Sequence, residues 1–357
     1  MATAVRLLRR SLRGGEAAPR FLSASQNLVR LVSNNTRSVD VGQPTPRSHP
    51  ELLAEGEITP GITSDEYIFR RKKLLEVLPE KSLAIIASAE QQMMTDVVPY
   101  SFRQNGDYLY ITGCAQPGGV AVLSEETGLC MFMPDTSKED VVWQGQTAGV
   151  EAAENFFKAD KAFPLSEMQK ILPEMIERSK VVYHNVKTLS PSYKNLDSFR
   201  RASLNNKVKD IAYYTDELRW IKSKSEIGLM RESASIVSQR PDSNMATLWQ
   251  VFTCSGHSLG MDIHDSVKLS KDKLLEPGVI ITIEPGVYIP PVPILKENAP
   301  DRYRGIGIRI EDEVLITESG HEVLTASVPK EISHITTLMN MGSNSMMDAH
   351  ELRAACS

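Results

Sequence analysis

The segment from Gly256 to Glu313 constrains the fold of this chain most strongly, because it alternates short apolar stretches with turns and isolated charged residues. The apolar stretches that are typical of strands occupy residues 279–284, 306–311 and 314–317. Period-two alternation places Arg309 and Glu311 on one face of such a strand, with isoleucines on the other. The segment therefore predicts a sheet whose apolar core face lies behind a face that carries charged groups.

Four residues of this segment could ligate a metal ion. They are His257, His264, Glu284 and Glu311. Imidazole and carboxylate groups suit Mn²⁺, Co²⁺ or Zn²⁺. The two histidines are seven positions apart, so a flat strand would separate them, and Gly260 would allow the bend that brings them together.

Each of these residues also has an ordinary interpretation. A lone histidine is more often a surface or packing residue than a ligand, and a glutamate at a strand end usually faces water. Arg309 next to Glu311 could form a surface ion pair that contributes about 0–1 kcal/mol. The residues by themselves leave both the metal site and the ordinary surface open.

The first forty residues differ from the rest of the chain. They contain seven arginines among serines, and Glu16 is the only acidic residue before Asp40. Such an Arg-rich, acid-poor start predicts an organellar transit peptide, for the mitochondrion before the plastid. The alternative is a disordered basic arm on a cytosolic protein.

The remaining sequence predicts two domains of α/β type. Helical and strand patterns alternate in the first domain, which indicates a mixed sheet with flanking helices, and a long helix from Asp216 to Gln239 opens the second. The predicted parts are a transit peptide (1–40), a linker strap (41–62), a first domain (63–215), a second domain (216–330) and a frayed tail (331–357).

Composition excludes several functional classes. The formal net charge of −5 disfavours a general nucleic-acid binder. No run of about 18 apolar residues occurs, so no membrane span is expected. The four cysteines form no CxxC pair, and we expect Cys114 and Cys130 to be reduced thiols packed in the first domain.

Several motifs resemble one family. The pattern His-x-Leu-Gly-Met-Asp-x-His-Asp begins at His257, Glu-Pro-Gly-x-Tyr begins at Glu284, and Gly-Ile-Arg-Ile-Glu-Asp ends at Asp312. These resemble the C-terminal half of the pita-bread catalytic domain of aminopeptidase P, prolidase and creatinase. Residues 100–113 resemble the aminopeptidase P N-domain signature, and residues 49–61 resemble the mitochondrial branch, which includes enzymes that trim single residues from imported proteins.

The resemblance implies a creatinase-like N-domain followed by a partial pita-bread domain. It implies that His257, Glu284 and Glu311 are metal ligands, that His264 is a catalytic residue that stabilises the reacting carbonyl or shuttles protons, and that Arg309 supports a ligand carboxylate. It further implies two-metal hydrolysis, with Mn²⁺ as the first choice of cofactor and Zn²⁺ or Co²⁺ as alternatives. The substrates would be N-termini of peptides or of proteins imported into the matrix, and homo-oligomers would form through the N-domain.

The chain also departs from the family pattern. The family has two aspartate ligands before the ligand histidine, whereas here the chain passes almost directly from Gln239 to His257. We therefore expect an internal deletion, one ion at most and impaired hydrolysis. The alternative is a catalytically dead isoform that acts as a binding or regulatory subunit, and a creatinase-like protein that is not a peptidase is a third hypothesis.

Overall fold

A computed structural model of the chain describes residues 41–94, 99–135, 147–186, 192–238, 256–270, 272–288 and 304–339. The chain divides between Leu218 and Arg219 into two compact units, close to the predicted domain boundary at residues 215 and 216. The predicted transit peptide and the expected deletion junction after Gln239 lie outside the described residues. Among the described helices, none is both long and apolar enough to cross a membrane.

The first unit is an α/β structure. Its elements are β1 (Glu57–Thr59), β2 (Ile62–Thr63), α1 (Ser64–Val77), β3 (Ser82–Ala87), α2 (Gly106–Thr112), β4 (Val120–Ser124), β5 (Gly128–Met133), α3 (Val150–Asn155), β6 (Lys161–Pro164), α4 (Met168–Arg178), β7 (Val181–His184), α5 (Asp197–Leu204), β8 (Val208–Asp210) and α6 (Ala212–Trp220), whose last two residues belong to the second unit. Helix α1 begins at Ser64. Thr63 is the cap, because its hydroxyl accepts a hydrogen bond from the amide of Glu66 at 3.3 Å.

Six of these strands form the predicted mixed sheet, in the order β6-β5-β4-β3-β7-β8. The pairs β3–β4 and β4–β5 are antiparallel, and the other three pairs are parallel. Every residue of β3 is buried, which is typical of a central strand that is covered on both faces. On one face, β3, β4 and β5 pack against α4 and α5 through residues such as Ile85, Phe132 and Leu172.

Arg71 of α1 lies within this unit rather than on its surface. Its guanidinium donates to the carbonyl oxygens of Ile111, Phe157 and Lys158 at 2.8–2.9 Å. Burial lowers its pKa to about 10. One side chain thus joins α1 to two other backbone segments.

The second unit contains α7 (Lys224–Ser238), β9 (Ile280–Ile283), β10 (Gly286–Tyr288), β11 (Gly307–Arg309), β12 (Asp312–Thr317) and β13 (Gly320–Val323). A final helix, α8, spans residues 332–339 in the part of the sequence that predicted a frayed tail. Strands β13, β12 and β9 form one antiparallel sheet, and β10 and β11 form a separate antiparallel pair.

Two predictions about this unit were wrong. The long helix from Asp216 is interrupted after Trp220, because Ser223 and Glu226 cap a new helix. The apolar face predicted behind Arg309 is not buried either: Ile306, Ile308 and Ile310 are 47%, 65% and 46% exposed. Strand β11 pairs with β10, and no further described strand pairs with it, so a core does not form on that side.

Candidate metal centre

Two glutamates face each other where the paired strands pass from one sheet to the other. The chain runs from β9 through Glu284 and Pro285 into β10, and antiparallel to it from β11 through Ile310 and Glu311 into β12. The amide of Ile310 donates to the carbonyl oxygen of Pro285 at 3.1 Å, which closes this crossover. The two carboxylates therefore stand opposite each other at a fixed point of the strand ladder.

His257 approaches the two carboxylates from a loop that pairs with the edge of β9. Its amide donates to the hydroxyl of Thr282 at 3.0 Å, and its carbonyl oxygen accepts from the amide of Thr282 at 2.8 Å. Gly256 makes this approach possible, since a Cβ at that position would lie 1.9 Å from the carbonyl oxygen of Thr282. The backbone of Thr282 thus fixes the position of His257.

The three predicted ligands come together. One ligand atom from each of His257, Glu284 and Glu311 lies within 4.8 Å of the others. Nδ1 of His257 is 3.0 Å from the carbonyl oxygen of Ser258, and a proton on Nδ1 would leave the lone pair of Nε2 free to bind an ion. Nε2 lies 3.2 Å from Oε1 of Glu284. This donor set fits a divalent cation, and its count of three protein ligands is that of a catalytic zinc site.

Arg309 supports one of the carboxylates. Its Nη1 lies 2.9 Å from Oε2 of Glu284, which is 7% exposed. The hydroxyl of Thr282 donates to Oε1 of Glu284 at 2.9 Å. Glu284 is thus oriented by one cation and one hydroxyl while Oε1 stays next to His257.

His264 stands beside the ligand histidine. The ring centroids of His257 and His264 are 4.3 Å apart, with an interplanar angle of 58°. The bend predicted at Gly260 does bring the two rings together. A Cβ at Gly260 would lie 2.0 Å from Oδ2 of Asp265, so the loop closes on that carboxylate.

Thr282, Arg219 and Asp265 also contribute to this region, although the motifs give them no role. Thr282 stands two residues before Glu284 on the same strand face, and this spacing could have indicated that it contacts the ligand. Nothing local indicates a contact between Arg219 and Asp265, which lie 3.2 Å apart although 46 residues separate them. Glu313 also belongs to this region: burial, and secondly the charge of Glu311, raise its pKa.

Comparison with known proteins agrees with the motifs. Residues 67–183 match "Aminopeptidase P, N-terminal domain", and residues 229–318 match "Metallopeptidase family M24". The chain is 41% identical to "Intermediate cleaving peptidase 55, mitochondrial" of Arabidopsis thaliana, over 88% of this chain and 93% of that protein. This chain belongs to the aminopeptidase P family of M24 metallopeptidases. Members of this family are hydrolases that act on peptides or proteins.

Solved structures have the same fold as this aminopeptidase P family member. "Zn substituted E. coli Aminopeptidase P in complex with product" gives a TM-score of 0.67 at 22% identity, covering 78% of this chain and 99% of that one. Icp55 from Saccharomyces cerevisiae gives 0.64 at 22% identity, covering 79% and 98%. The α/β fold predicted from the creatinase-like resemblance is confirmed. A metallopeptidase family with a zinc-substituted structural neighbour also supports a divalent metal cofactor.

The alignment with the Arabidopsis protein contains more positions than this chain contributes residues. It extends over 462 positions, although 88% of the 357 residues take part in it, which is about 314. About 148 of its positions therefore have no residue of this chain. The name of that Arabidopsis protein describes it as mitochondrial.

Proposed function

We propose that this chain is a mitochondrial aminopeptidase P-type protein whose metal centre retains one ion-binding half. The observation that carries the proposal is the approach of His257, Glu284 and Glu311 to within 4.8 Å. We take Mn²⁺ as the resident ion, with Zn²⁺ and Co²⁺ as alternatives. The substrates are N-termini of peptides or of proteins imported into the matrix, and cleavage of an Xaa-Pro peptide is the first activity to measure.

Each residue of the centre has one task in this proposal. His257, Glu284 and Glu311 hold the ion, which supplies Lewis-acid polarisation of the scissile carbonyl when it is bound. Arg309 and Thr282 hold Glu284 in place, so its carboxylate need not reorganise on binding. His264, next to the ring of His257, donates a hydrogen bond or a proton to the substrate.

Hydrolysis by this chain is expected to be weak. About 148 alignment positions have no residue of this chain, and the block with the two aspartate ligands that the family pattern implies is absent before His257. A single ion cannot clamp both the attacking and the departing atoms as a pair of ions does. The chain therefore binds substrate and one ion but turns over slowly.

Metal content and turnover test this proposal together. Purified protein is analysed by mass spectrometry after dialysis against Mn²⁺, and cleavage of an Xaa-Pro peptide is followed in parallel. About one ion per chain with little turnover supports the proposal. Two ions with rapid turnover would contradict it, and so would the absence of any bound ion.

A second candidate function is a binding subunit for a chain with a complete catalytic domain. The observation that favours it is the row of exposed isoleucines at Ile306, Ile308 and Ile310, since contiguous apolar surface often marks an interface. Co-expression with the full-length Arabidopsis relative, followed by affinity capture, tests this candidate. Capture that is lost in Ile308→Lys supports it, and no association contradicts it.

Localisation and oligomeric state complete the proposal. We take residues 1–40 as a transit peptide and the matrix as the destination. A fusion of these residues to a fluorescent protein should enter mitochondria and be protected from protease, and a cytosolic fusion would contradict this.

Ile68 and Phe69 of α1, which are 46% and 56% exposed, are the proposed contact of a homo-oligomer through the first unit. Light scattering of wild type and Phe69→Ser tests this contact.

A further inference from the structure

A buried ion pair lies in the second unit and is not part of the ligand set. Nη2 of Arg219, in the last turn of α6, is 3.2 Å from Oδ1 of Asp265. The two side chains are 8% and 1% exposed. Nη1 of Arg219 is 3.8 Å from Oδ2 of Asp262, which is more exposed. A pair this deeply buried is seldom explained by stability alone, because desolvation offsets most of its attraction.

Asp265 organises the loop that separates the two histidines. Its Oδ2 accepts from the amide of Met261 at 3.1 Å, and its Oδ1 accepts from its neighbour Ser266 at 2.9 Å. Its own amide donates to the carbonyl oxygen of Ser258 at 3.0 Å, and the hydroxyl of Ser258 donates back to its carbonyl oxygen. The loop from 258 to 265 is therefore closed on this one residue.

The histidines stand immediately before the two closing residues. His257 precedes Ser258, and His264 precedes Asp265. Closure of the loop thus sets the distance between the two rings, whose centroids are 4.3 Å apart. Any displacement of Asp265 moves His264 directly, and it moves His257 through the contacts with Ser258.

The residues that follow Arg219 also form hydrogen bonds with the residues that lead into β9. The amide of Lys222 donates to the carbonyl oxygen of Gly278 at 3.0 Å, and the amide of Leu259 donates to the carbonyl oxygen of Ile280 at 3.0 Å. Lys222 is 6% exposed, and its Nζ donates to the carbonyl oxygen of Trp220 at 3.1 Å. The residues after α6 are therefore joined to the histidine loop and to the strand that leads to Glu284.

We infer that Arg219 and Asp265 are positioning residues of the metal centre, which hold His257 and His264 in register with Glu284. This inference rests on the proposed metal site. The carboxylate shapes the loop, and the guanidinium fixes the carboxylate to the residues that anchor β9. Neither residue contacts the ion, so their effect is transmitted through the histidines.

Titration with Co²⁺ tests this inference without any need for activity. Wild type, Asp265→Asn, Arg219→Met and the double variant are compared by calorimetry and by the visible absorption of bound Co²⁺. Each single variant is expected to lower the affinity by about 10- to 100-fold, as loss of outer partners of a ligand does. The double variant has no unpaired buried charge, so its melting temperature should recover while its affinity stays low.

This separation of affinity from stability distinguishes positioning from a merely structural role. Wild-type affinity in the double variant, with only the melting temperature changed in the single variants, would overturn the inference. If Asp265→Asn does not fold, Arg219→Lys serves, because it keeps the charge but loses the planar fork. An unchanged affinity in Arg219→Lys and in Arg219→Met would also overturn it.

A control and a metal-free measurement complete the experiment. Glu322→Gln breaks the exposed pair between Glu322 and Arg231 in the same unit, and it should leave Co²⁺ affinity unchanged. Nitrogen NMR of the histidine rings reports the Nδ1–H tautomer of His257, which Asp265→Asn should disturb. Wild type that binds no Co²⁺ would contradict the proposed function, and an undisturbed tautomer would then contradict this inference separately.

Discussion

At the scale of single residues, one hydroxyl connects two ligands of the candidate metal centre. Thr282 is 2% exposed, accepts from the amide of His257 and donates to Oε1 of Glu284. A hydroxyl can make both bonds because it is donor and acceptor at once. Valine has the same shape and can make neither.

Thr282→Val should therefore weaken metal binding and stability together. We expect Co²⁺ affinity to fall by about tenfold, and the free energy of unfolding to fall by about 1–3 kcal/mol because the amide of His257 loses its partner. Calorimetric titration and urea denaturation measure the two effects. Thr317→Val, at the end of β12, is the matched control and should change neither. Equal affinity in both variants would show that the hydroxyl does not orient Glu284.

His184 is a second residue whose environment makes a prediction, and it lies in the first unit. It is 6% exposed, its Nδ1 lies 3.3 Å from the hydroxyl of Tyr193, and its ring packs on Phe199. Burial, and secondly the charge of Lys194, lower its pKa to about 4, while Asp210 opposes the shift. The folded state therefore favours the neutral ring.

This shift determines the sign of a pH dependence. The unfolded state binds the proton near pH 6.5 and the folded state near pH 4, so stability falls as pH decreases through this window. The loss reaches about 3 kcal/mol at the low end. Melting curves between pH 7 and pH 4.5 should show a smaller decrease for His184→Gln than for wild type. Parallel curves would contradict the assignment.

At the scale of elements, the interruption between α6 and α7 has a local cause. The hydroxyl of Ser223 accepts from the amide of Glu226 at 3.2 Å, and the carboxylate of Glu226 accepts from the amide of Ser223 at 2.8 Å. This reciprocal pair is a capping box, which starts a helix rather than continuing one. The break matters because it lies between Arg219 and α7, next to the contact of Lys222 with Gly278.

Removing the cap should destabilise α7. Ser223→Ala is expected to cost about 1 kcal/mol, seen as a lower melting temperature by circular dichroism. Ser225→Ala is the control: it makes the same replacement within the helix, where alanine is at least as favourable as serine. A larger loss in Ser225→Ala than in Ser223→Ala would contradict the capping role.

At the scale of the whole molecule, the second unit has an apolar surface that its described residues do not cover. Ile283, Ile306, Ile308 and Ile310 are all at least 46% exposed, and they lie in or next to strands that adjoin the candidate metal centre. The alignment with the Arabidopsis protein has about 148 positions with no residue of this chain. Exposed isoleucines on short strands promote association.

Replacing one of these isoleucines should improve solubility without loss of stability. Ile308→Thr is expected to lower light scattering at high concentration and to leave the melting temperature within about 1 °C, since little apolar area is lost from a core. Ile280→Thr, at a fully buried position of β9, should instead lower the melting temperature by several degrees. Similar effects of the two substitutions would mean that Ile308 is covered in solution.

By itself, the sequence determined the mixed sheet of the first unit and which residue types the candidate site contains. Strand β3 (Ser82–Ala87) is an apolar run after its first residue, which is recognisable in the sequence because a central strand is buried on both faces. The histidines and glutamates of the candidate site were predicted from their motifs. The capping box is also visible in the sequence as Ser223 followed three residues later by Glu226, although the helical pattern from Asp216 to Gln239 predicts one continuous helix.

Only the tertiary structure decided how the elements meet. The contacts of Arg71 with three carbonyl oxygens, and of Arg219 with Asp265, join residues far apart in the sequence, so no local pattern encodes them. Period-two alternation predicts which side chains share a face, but it cannot tell whether anything covers that face. Ile308 is exposed for this reason: burial is a property of two surfaces, and the strand pattern specifies only one of them.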